Sequence, residues 1–207
     1  MRCSAHQNGN PSPTNQKSRW KAQFVRTQGG NAYASELVEQ IQKFNGGEFL
    51  HQKMENSSFD GFCIGVAGYP EKHLEAPSKK SDLENLKLKV DAGADYVVTQ
   101  MFFDNQKYFD FVKSAREIGI DVPIIPGIKP LSIKKHLQVL PQIFSLDLPD
   151  QLISEVVKAK DNDAVREIGI QWAIQQSKEL MAAGVPTLHY YSMGKSDNIY
   201  KIAKALF

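Results

Sequence analysis

Four short apolar runs, each followed by helical spacing, constrain this chain more than any other feature. They occupy residues 62–69 (FCIGVAGY), 96–103 (YVVTQMFF), 122–128 (VPIIPGI) and 187–193 (TLHYYSM). Runs this short, apolar on both faces, suit buried parallel strands. Between the first two, Leu83, Leu86 and Val90 recur at helical spacing, behind a Ser81-x-x-Glu84 capping box and ahead of Gly93. Tyr108, Phe109, Phe111, Val112 and Ala115 mark the next helix, ended by Gly119. Helical patterns then cover residues 132–140, 150–159 and 162–183, and a last helix starts near Ser196. One helix (Leu37, Val38, Ile41, Phe44) precedes the first strand and stops at Gly46-Gly47, and residues 48–60 read as a loop. Such alternation gives an α/β fold with a parallel sheet and right-handed crossovers. Either an open doubly wound sheet or part of a (β/α)8 barrel satisfies it. No G-x-G-x-x-G follows a strand, so a dinucleotide-type site is unsupported. A full barrel needs about 250 residues, and this chain has 207 with four such runs.

The charge is unevenly placed. Residues 1–35 hold five basic side chains (Arg2, Lys17, Arg19, Lys21, Arg26) and no acidic one, within a chain of net charge +2. Residues 1–30 are rich in Asn, Gln, Ser, Pro and Gly, and read as a disordered tail without the amphipathic stripe of a transit peptide. The body, residues 31–207, is slightly acidic and carries no basic patch, so no nucleic-acid partner is expected. No apolar run approaches the roughly 18 residues of a membrane helix, so no membrane span is expected. Cys3 and Cys63 lack metal-type spacing, which leaves no expected metal site and favours a reducing, cytoplasmic setting.

In either architecture ligands bind at the carboxyl ends of the strands. Gln100 is the sharpest residue there. An amide within Val-Val-Thr-Gln-Met-Phe-Phe is expected to be buried, and a buried amide needs partners. It serves either a core hydrogen bond to a neighbouring strand or the edge of a heterocyclic ligand. His73 lies in a polar loop, where a solvated ring is the plain alternative to a functional one. His189 sits within the fourth strand and reads as structural. Asp82, early in its helix, suits the helix dipole, while Asn85 and Lys89 read by default as a solvated face. No Ser-His-Asp arrangement, P-loop or metal-ligand cluster is present.

Several segments taken together are specific. They are Tyr33-Ala34-Ser35-Glu36-Leu37-Val38, Val66-Ala67-Gly68-Tyr69-Pro70-Glu71, Asp82-Leu83-Glu84-Asn85-Leu86-Lys87 and Lys89-Val90-Asp91-Ala92-Gly93-Ala94-Asp95. They continue with Thr99-Gln100-Met101-Phe102-Phe103-Asp104, Ile125-Pro126-Gly127-Ile128 and Leu188-His189-Tyr190-Tyr191. In this order the chain, from about Asn31 on, closely resembles bacterial-type methylenetetrahydrofolate reductase, C-terminal part of the catalytic domain. The resemblance implies a (β/α)8 TIM barrel, here incomplete with about four parallel strands. It implies FAD as cofactor, NAD(P)H as reductant and reduction of 5,10-methylenetetrahydrofolate to 5-methyltetrahydrofolate, a step of one-carbon and methionine metabolism.

By resemblance, Tyr33, Ala34, Tyr69, His73, Glu75, Ala76, Asp82, Asn85 and Lys89 fall at FAD-contacting positions. Helix N-termini and a lysine suit a pyrophosphate, and Asp or Asn side chains suit ribose hydroxyls. Gln100 falls where folate and nicotinamide are contacted, and His136 and Lys195 fall at folate-binding positions. Departures accompany the likeness. Leu74 replaces the family's usual Pro, Leu88 an Arg of some members, His136 a Gln and Lys195 an Arg. Residues 1–30 hold neither the family's Phe-Glu-Phe-Phe block, with its general-acid Glu, nor its Arg-Gly-Asp segment, so no catalytic residue is identified. A missing general acid typically lowers the rate about 10²–10⁴-fold, so little reductase activity is expected of the chain alone. The competing reading is a non-catalytic half barrel that binds flavin or folate weakly or only pairs, since a half barrel exposes strand edges and favours a homo-oligomer. An unrelated phosphate-binding α/β domain is a third.

Overall fold

Local signals set the helices first. The computed structural model describes residues 27–49, 52–55, 61–194 and 196–207. The chain divides into two units, Met1–Asn31 and Ala32–Phe207. In the first, Gly30 N–H closes a turn on the Thr27 carbonyl at 2.9 Å. The tail reading of residues 1–30 otherwise falls on residues 1–26, outside the described residues.

The second unit opens with α1 (Ala34–Asn45), which ends at Gly46 and at Gly47, whose φ of 78° suits a residue without a side chain. A short antiparallel hairpin, β1 (Glu48–Phe49) with β2 (Gln52–Lys53), stands where a loop is expected. Phe49 stacks on Phe44 at 5.5 Å and gives the hairpin its anchor. The alternating part then runs β3 (Gly65–Gly68), α2 (Lys79–Asp91), β4 (Tyr96–Thr99), α3 (Asn105–Glu117), β5 (Ile124–Ile125) and β6 (Gly127–Ile128). It continues through α4 (His136–Phe144), α5 (Asp150–Lys158), α6 (Asn162–Ala182), β7 (His189–Tyr190) and α7 (Asp197–Leu206).

β3, β4 and β5 pair in parallel in that order, with Val66 opposite Val97 and Val97 opposite Ile124. β6 pairs in parallel with β7. Only Pro126 separates β5 from β6, so one bent strand serves β4 with its first half and β7 with its second. The bend is held at Thr99. Its hydroxyl accepts from Gly127 N–H at 2.9 Å, and its carbonyl accepts from the Tyr191 hydroxyl at 2.8 Å. Among the described residues the parallel strands do not close into a barrel.

The helix-facing side of the sheet is packed. Val66, Val97 and Ile124 meet Leu86, Phe111 and Ala115 in the main core. A second cluster, beyond the strand ends, gathers Met101, Phe103, Leu131, Leu140, Leu146, Leu152, Val156 and Val165. The other face is open, since Ala67 is exposed and its row mates Val98 and Ile125 are only half-buried. Expecting the first run to be buried on both faces was therefore incorrect. β3 is an edge strand, and on its open face the Tyr96 ring lies against Gly65 while Ala67 stays exposed.

Two helix starts also differ from expectation. Ser78, not Ser81, caps α2: its hydroxyl accepts from Ser81 N–H at 3.1 Å, and the Ser81 hydroxyl accepts from Ser78 N–H at 3.0 Å. α4 begins at His136 because residues 133–136 first form a turn, closed by His136 N–H on the Ile133 carbonyl at 3.0 Å. It then continues through Pro141 to Phe144.

Candidate functional site

The carboxyl end of β3 and the N-terminus of α2 build one polar group. Tyr69 follows β3 and meets the His73 ring edge-on, with centroids 4.6 Å apart. His73 Nδ1 accepts from Glu75 N–H at 3.2 Å, so the neutral ring carries its proton on Nε2. Asp82, in the first turn of α2, accepts from His73 N–H at 2.8 Å through Oδ2 and ties the loop to the helix. Ala76 is buried; its N–H donates to the His73 carbonyl, and its own carbonyl accepts from Lys72 Nζ at 2.5 Å. Glu75 and Asn85 are exposed.

Asp82, Asn85 and Lys89 lie at i, i+3 and i+7, on one face of α2. Lys89 Nζ donates to the Ala67 carbonyl at 2.6 Å. Burial lowers the Lys89 pKa, and the Asp82 charge opposes that shift. The default solvated-face reading of Lys89 is thus incorrect. Burial raises the Tyr69 pKa, with Asp82, Tyr191 and Glu75 adding to the rise. Tyr69 therefore senses both α2 and the fourth strand.

Gln100 stands at the end of β4, with its N–H on the Gly68 carbonyl at 2.8 Å. It is half-buried rather than buried, because the face beside it is open. Its Oε1 accepts from Met101 N–H at 3.0 Å, and among the described residues its Nε2 has no acceptor. The core bond to a neighbouring strand is not made. His136 is half-buried at the start of α4, and its Nδ1 accepts from Ser132 N–H at 3.3 Å. Burial first, then Lys129, lowers its pKa. The Lys129 pKa is itself lowered by burial.

The structure does not bring every expected residue together. Tyr33 and Ala34 sit at the N-terminus of α1, with Tyr33 73% exposed, and no hydrogen bond among the described residues joins them to the Tyr69–His73 pair. Lys195 lies outside the described residues. Sequence reasoning placed Thr99, Glu71 and Lys129 at strand ends without giving them a role, and passed over Trp172. The signal for Thr99 was present, as a hydroxyl next to Gln100 in the same apolar run. A cleft of about 560 Å³ between α3, α5 and α6, walled by Phe103 and Trp172, contains none of the expected site residues. Trp172 Nε1 donates to the Phe103 carbonyl at 3.0 Å at its edge. Among the described residues no three His, Cys, Asp or Glu side chains gather as a metal site requires, and no helix is long and apolar enough to cross a membrane.

Chemically, the group offers a cation, a carboxylate and an amide on one helix face, next to an aromatic pair. Beside them runs β3, whose open face presents Ala67, while the Tyr96 ring lies against Gly65 and Val97 and Phe111 pack against Gly68. This donor set fits a flavin nucleotide.

The chain matches the methylenetetrahydrofolate reductase family over residues 12–207. It is 39% identical over 180 residues to methylenetetrahydrofolate reductase (NADH) 1 of Arabidopsis thaliana, covering 82% of this chain and 28% of that protein. It is 40% identical over 147 residues to 5,10-methylenetetrahydrofolate reductase of Salmonella typhimurium, covering 70% of this chain and 49% of that protein. A probable methylenetetrahydrofolate reductase (NADPH) of Caenorhabditis elegans is also 40% identical over 147 residues, 70% of this chain and 22% of that protein. The chain thus spans half or less of these relatives. Its fold is similar, with a TM-score of 0.51 and 20% identity, to a Clostridium thermocellum protein described as binding two copies of 5-methyl-5,6,7,8-tetrahydrofolic acid; 70% of this chain and 52% of that chain are covered.

Proposed function

Because the chain belongs to the methylenetetrahydrofolate reductase family, we propose that it carries flavin- and folate-binding parts of that oxidoreductase. Its strands are four successive strands of a (β/α)8 barrel, open here on the side that the rest of the barrel would cover. The reaction is FAD-dependent reduction of 5,10-methylenetetrahydrofolate to 5-methyltetrahydrofolate with NAD(P)H. The observation that supports this reading most is the joining of Tyr69, His73 and Asp82 at the end of β3, with Lys89 on the same helix face as Asp82.

In this reading Lys89 holds the flavin nucleotide's phosphates, and Asp82 and Asn85 take ribose hydroxyls. Tyr69 and His73 wall the cofactor, and the Glu75–Ala76 turn borders it. Tyr33 and Ala34 join them at the same cofactor, and Lys195 joins His136 at the folate. Bound flavin supplies hydride transfer between the nicotinamide and the folate. Gln100 presents its Nε2 to the folate or nicotinamide edge, while Met101 N–H fixes its Oε1. His136, kept neutral at pH 7, accepts or donates a hydrogen bond rather than carrying charge. The setting is cytoplasmic.

Titration of 5-methyltetrahydrofolate into the wild-type chain and into Gln100→Leu tests this. The proposal predicts binding that the substitution weakens about tenfold, the scale of a lost hydrogen bond that leaves a polar partner unpaired. Equal affinity in the two proteins would remove Gln100 from the site. A second reading, a half barrel that pairs with another copy, is favoured by the exposure of Ala67 on an edge strand. Absent ligand binding, together with an elution volume smaller than a monomer's, would support that reading instead.

A further inference from the structure

We propose that Glu71 is a positioning residue that fastens the loop bearing Tyr69, His73 and Ala76 to the segment entering α5. The inference rests on the flavin reading of that loop. Glu71 lies midway between Tyr69 and His73, and its side chain does not join them. Instead Oε2 accepts from the backbone N–H of Asp147 at 2.9 Å, across 76 positions of sequence. The Asp147 segment is a firm anchor. On either side of it Leu146 is buried and Leu148 is half-buried, both in the second cluster with Met101 and Phe103. The Asp147 carboxylate in turn pairs with Lys107 of α3 at 3.5 Å. One side chain thus ties the β3 loop to α3 and to the α4–α5 connection.

The charged groups facing Glu71 are Asp147, before α5, and Lys107, on α3; on its own loop, Lys72 is committed to the Ala76 carbonyl. Burial, followed by the Asp147 carboxylate, outweighs the Asp147 N–H and Lys107, and raises the Glu71 pKa to about 7. Glu71 is therefore protonated on the acid side of neutrality, beside the Asp147 carboxylate. On the alkaline side the ionised Glu71 carboxylate is penalised first by burial and also faces the Asp147 carboxylate; together these outweigh the Asp147 N–H and Lys107 that favour it, and the fastening loosens. The change reaches His73 because it lies only two residues from Glu71, with its own N–H tied to Asp82.

The test uses the isotopically labelled full chain, as wild type, Glu71→Gln and Glu71→Ala, with amide spectra and FAD affinity recorded across pH 5.5 to 8.5. Gln keeps a neutral acceptor for Asp147 N–H, and Ala keeps none. In wild type the Asp147 amide should titrate with a midpoint at about 7, and the His73 and Ala76 amides should follow it. In Glu71→Gln the Asp147 amide should be flat, and the His73 and Ala76 amides should lose the component that shares the Asp147 midpoint. FAD affinity should fall about threefold to tenfold in Glu71→Ala, the scale of one lost hydrogen bond. In Glu71→Gln it should stay near the acid-side wild-type value and lose its pH dependence. His73 and Ala76 amides that stay flat while Asp147 titrates would overturn the positioning role, as would an Asp147 amide that does not titrate. If the wild type binds no FAD, the flavin reading fails and the His73 and Ala76 amides alone decide, supporting the role if they follow Asp147 and overturning it if they do not.

Discussion

Lys89 Nζ on α2 donates to the Ala67 carbonyl of β3 at 2.6 Å. The Ile64 and Gly68 carbonyls accept from the β4 side, at Tyr96 and Gln100 N–H, so the Ala67 carbonyl points to the unpaired side of the sheet. An open edge carbonyl is the group that recruits another strand, and a lysine is a common means of blunting it. In the proposed flavin site the same ammonium would hold a phosphate, and edge protection and ligand binding would then compete for one side chain.

Lys89→Met should keep the packing of the stem and lose the bond. The expected result is a folded chain by circular dichroism that self-associates at lower concentration in sedimentation experiments. Unchanged association would show that Lys89 does not guard the edge.

Thr99→Val keeps the shape at a fully buried position and removes the acceptor of Gly127 N–H. The stranded donor should cost about 1–3 kcal/mol, read as a lower urea midpoint at unchanged slope. A midpoint within error of wild type would mean that the bent strand does not depend on this bond.

Ser78→Ala removes the hydroxyl that accepts from Ser81 N–H, leaves the backbone N–H of position 78 on the Ser81 hydroxyl, and should cost about 1 kcal/mol. The apparent box partner Glu84 is the control: Glu84→Ala should leave the melting temperature nearly unchanged, since it removes only an exposed pair with Lys80. The opposite ranking would restore Ser81 as the cap.

His136 should titrate below its ordinary 6.5, because burial and then Lys129 disfavour its charged form. Lys129→Met removes the second cause only, so the midpoint should rise without fully reaching the ordinary value. The sign for stability follows from linkage. With the folded pKa lowered, the unfolded chain takes up the proton first as pH falls through 6.5, and the contribution from His136 is lost below that pH. Proton spectra of the imidazole across pH 5 to 8 read the midpoint directly, and a midpoint above 6.5 in wild type would contradict the account.

The helices were legible because their signals are local. α3, α5 and α6 lie close to their expected spans, since the 3.6-residue spacing is strong and Gly119 and Gly184 take positive φ just past α3 and α6. The strands were read too long. Apolar character continues through Met101, Phe102 and Phe103, yet the ladder ends at Thr99 because Met101 and Phe103 leave the sheet to fill the second cluster. The α2 cap was misplaced because two serines stand three apart, and the expected box partner is an acid or amide rather than a second serine. Gln100, His73 and Asp82 stood out in the sequence because they sit at a strand end, in a polar loop and at a helix start, and the site role of His73 and Asp82 came only from the resemblance. The bonds of Glu71 and Thr99 were not legible because their partners, Asp147 and Gly127, are remote in sequence and only the fold brings them near.

The central claim is that this chain holds flavin at the end of β3. Its most direct test is to incubate the purified protein with FAD, desalt it and record the visible spectrum, for wild type and for Asp82→Ala. The account predicts a retained flavin band in wild type that Asp82→Ala diminishes, because the carboxylate both faces the ligand and ties down His73. A wild-type protein that emerges from desalting without flavin absorbance would contradict it.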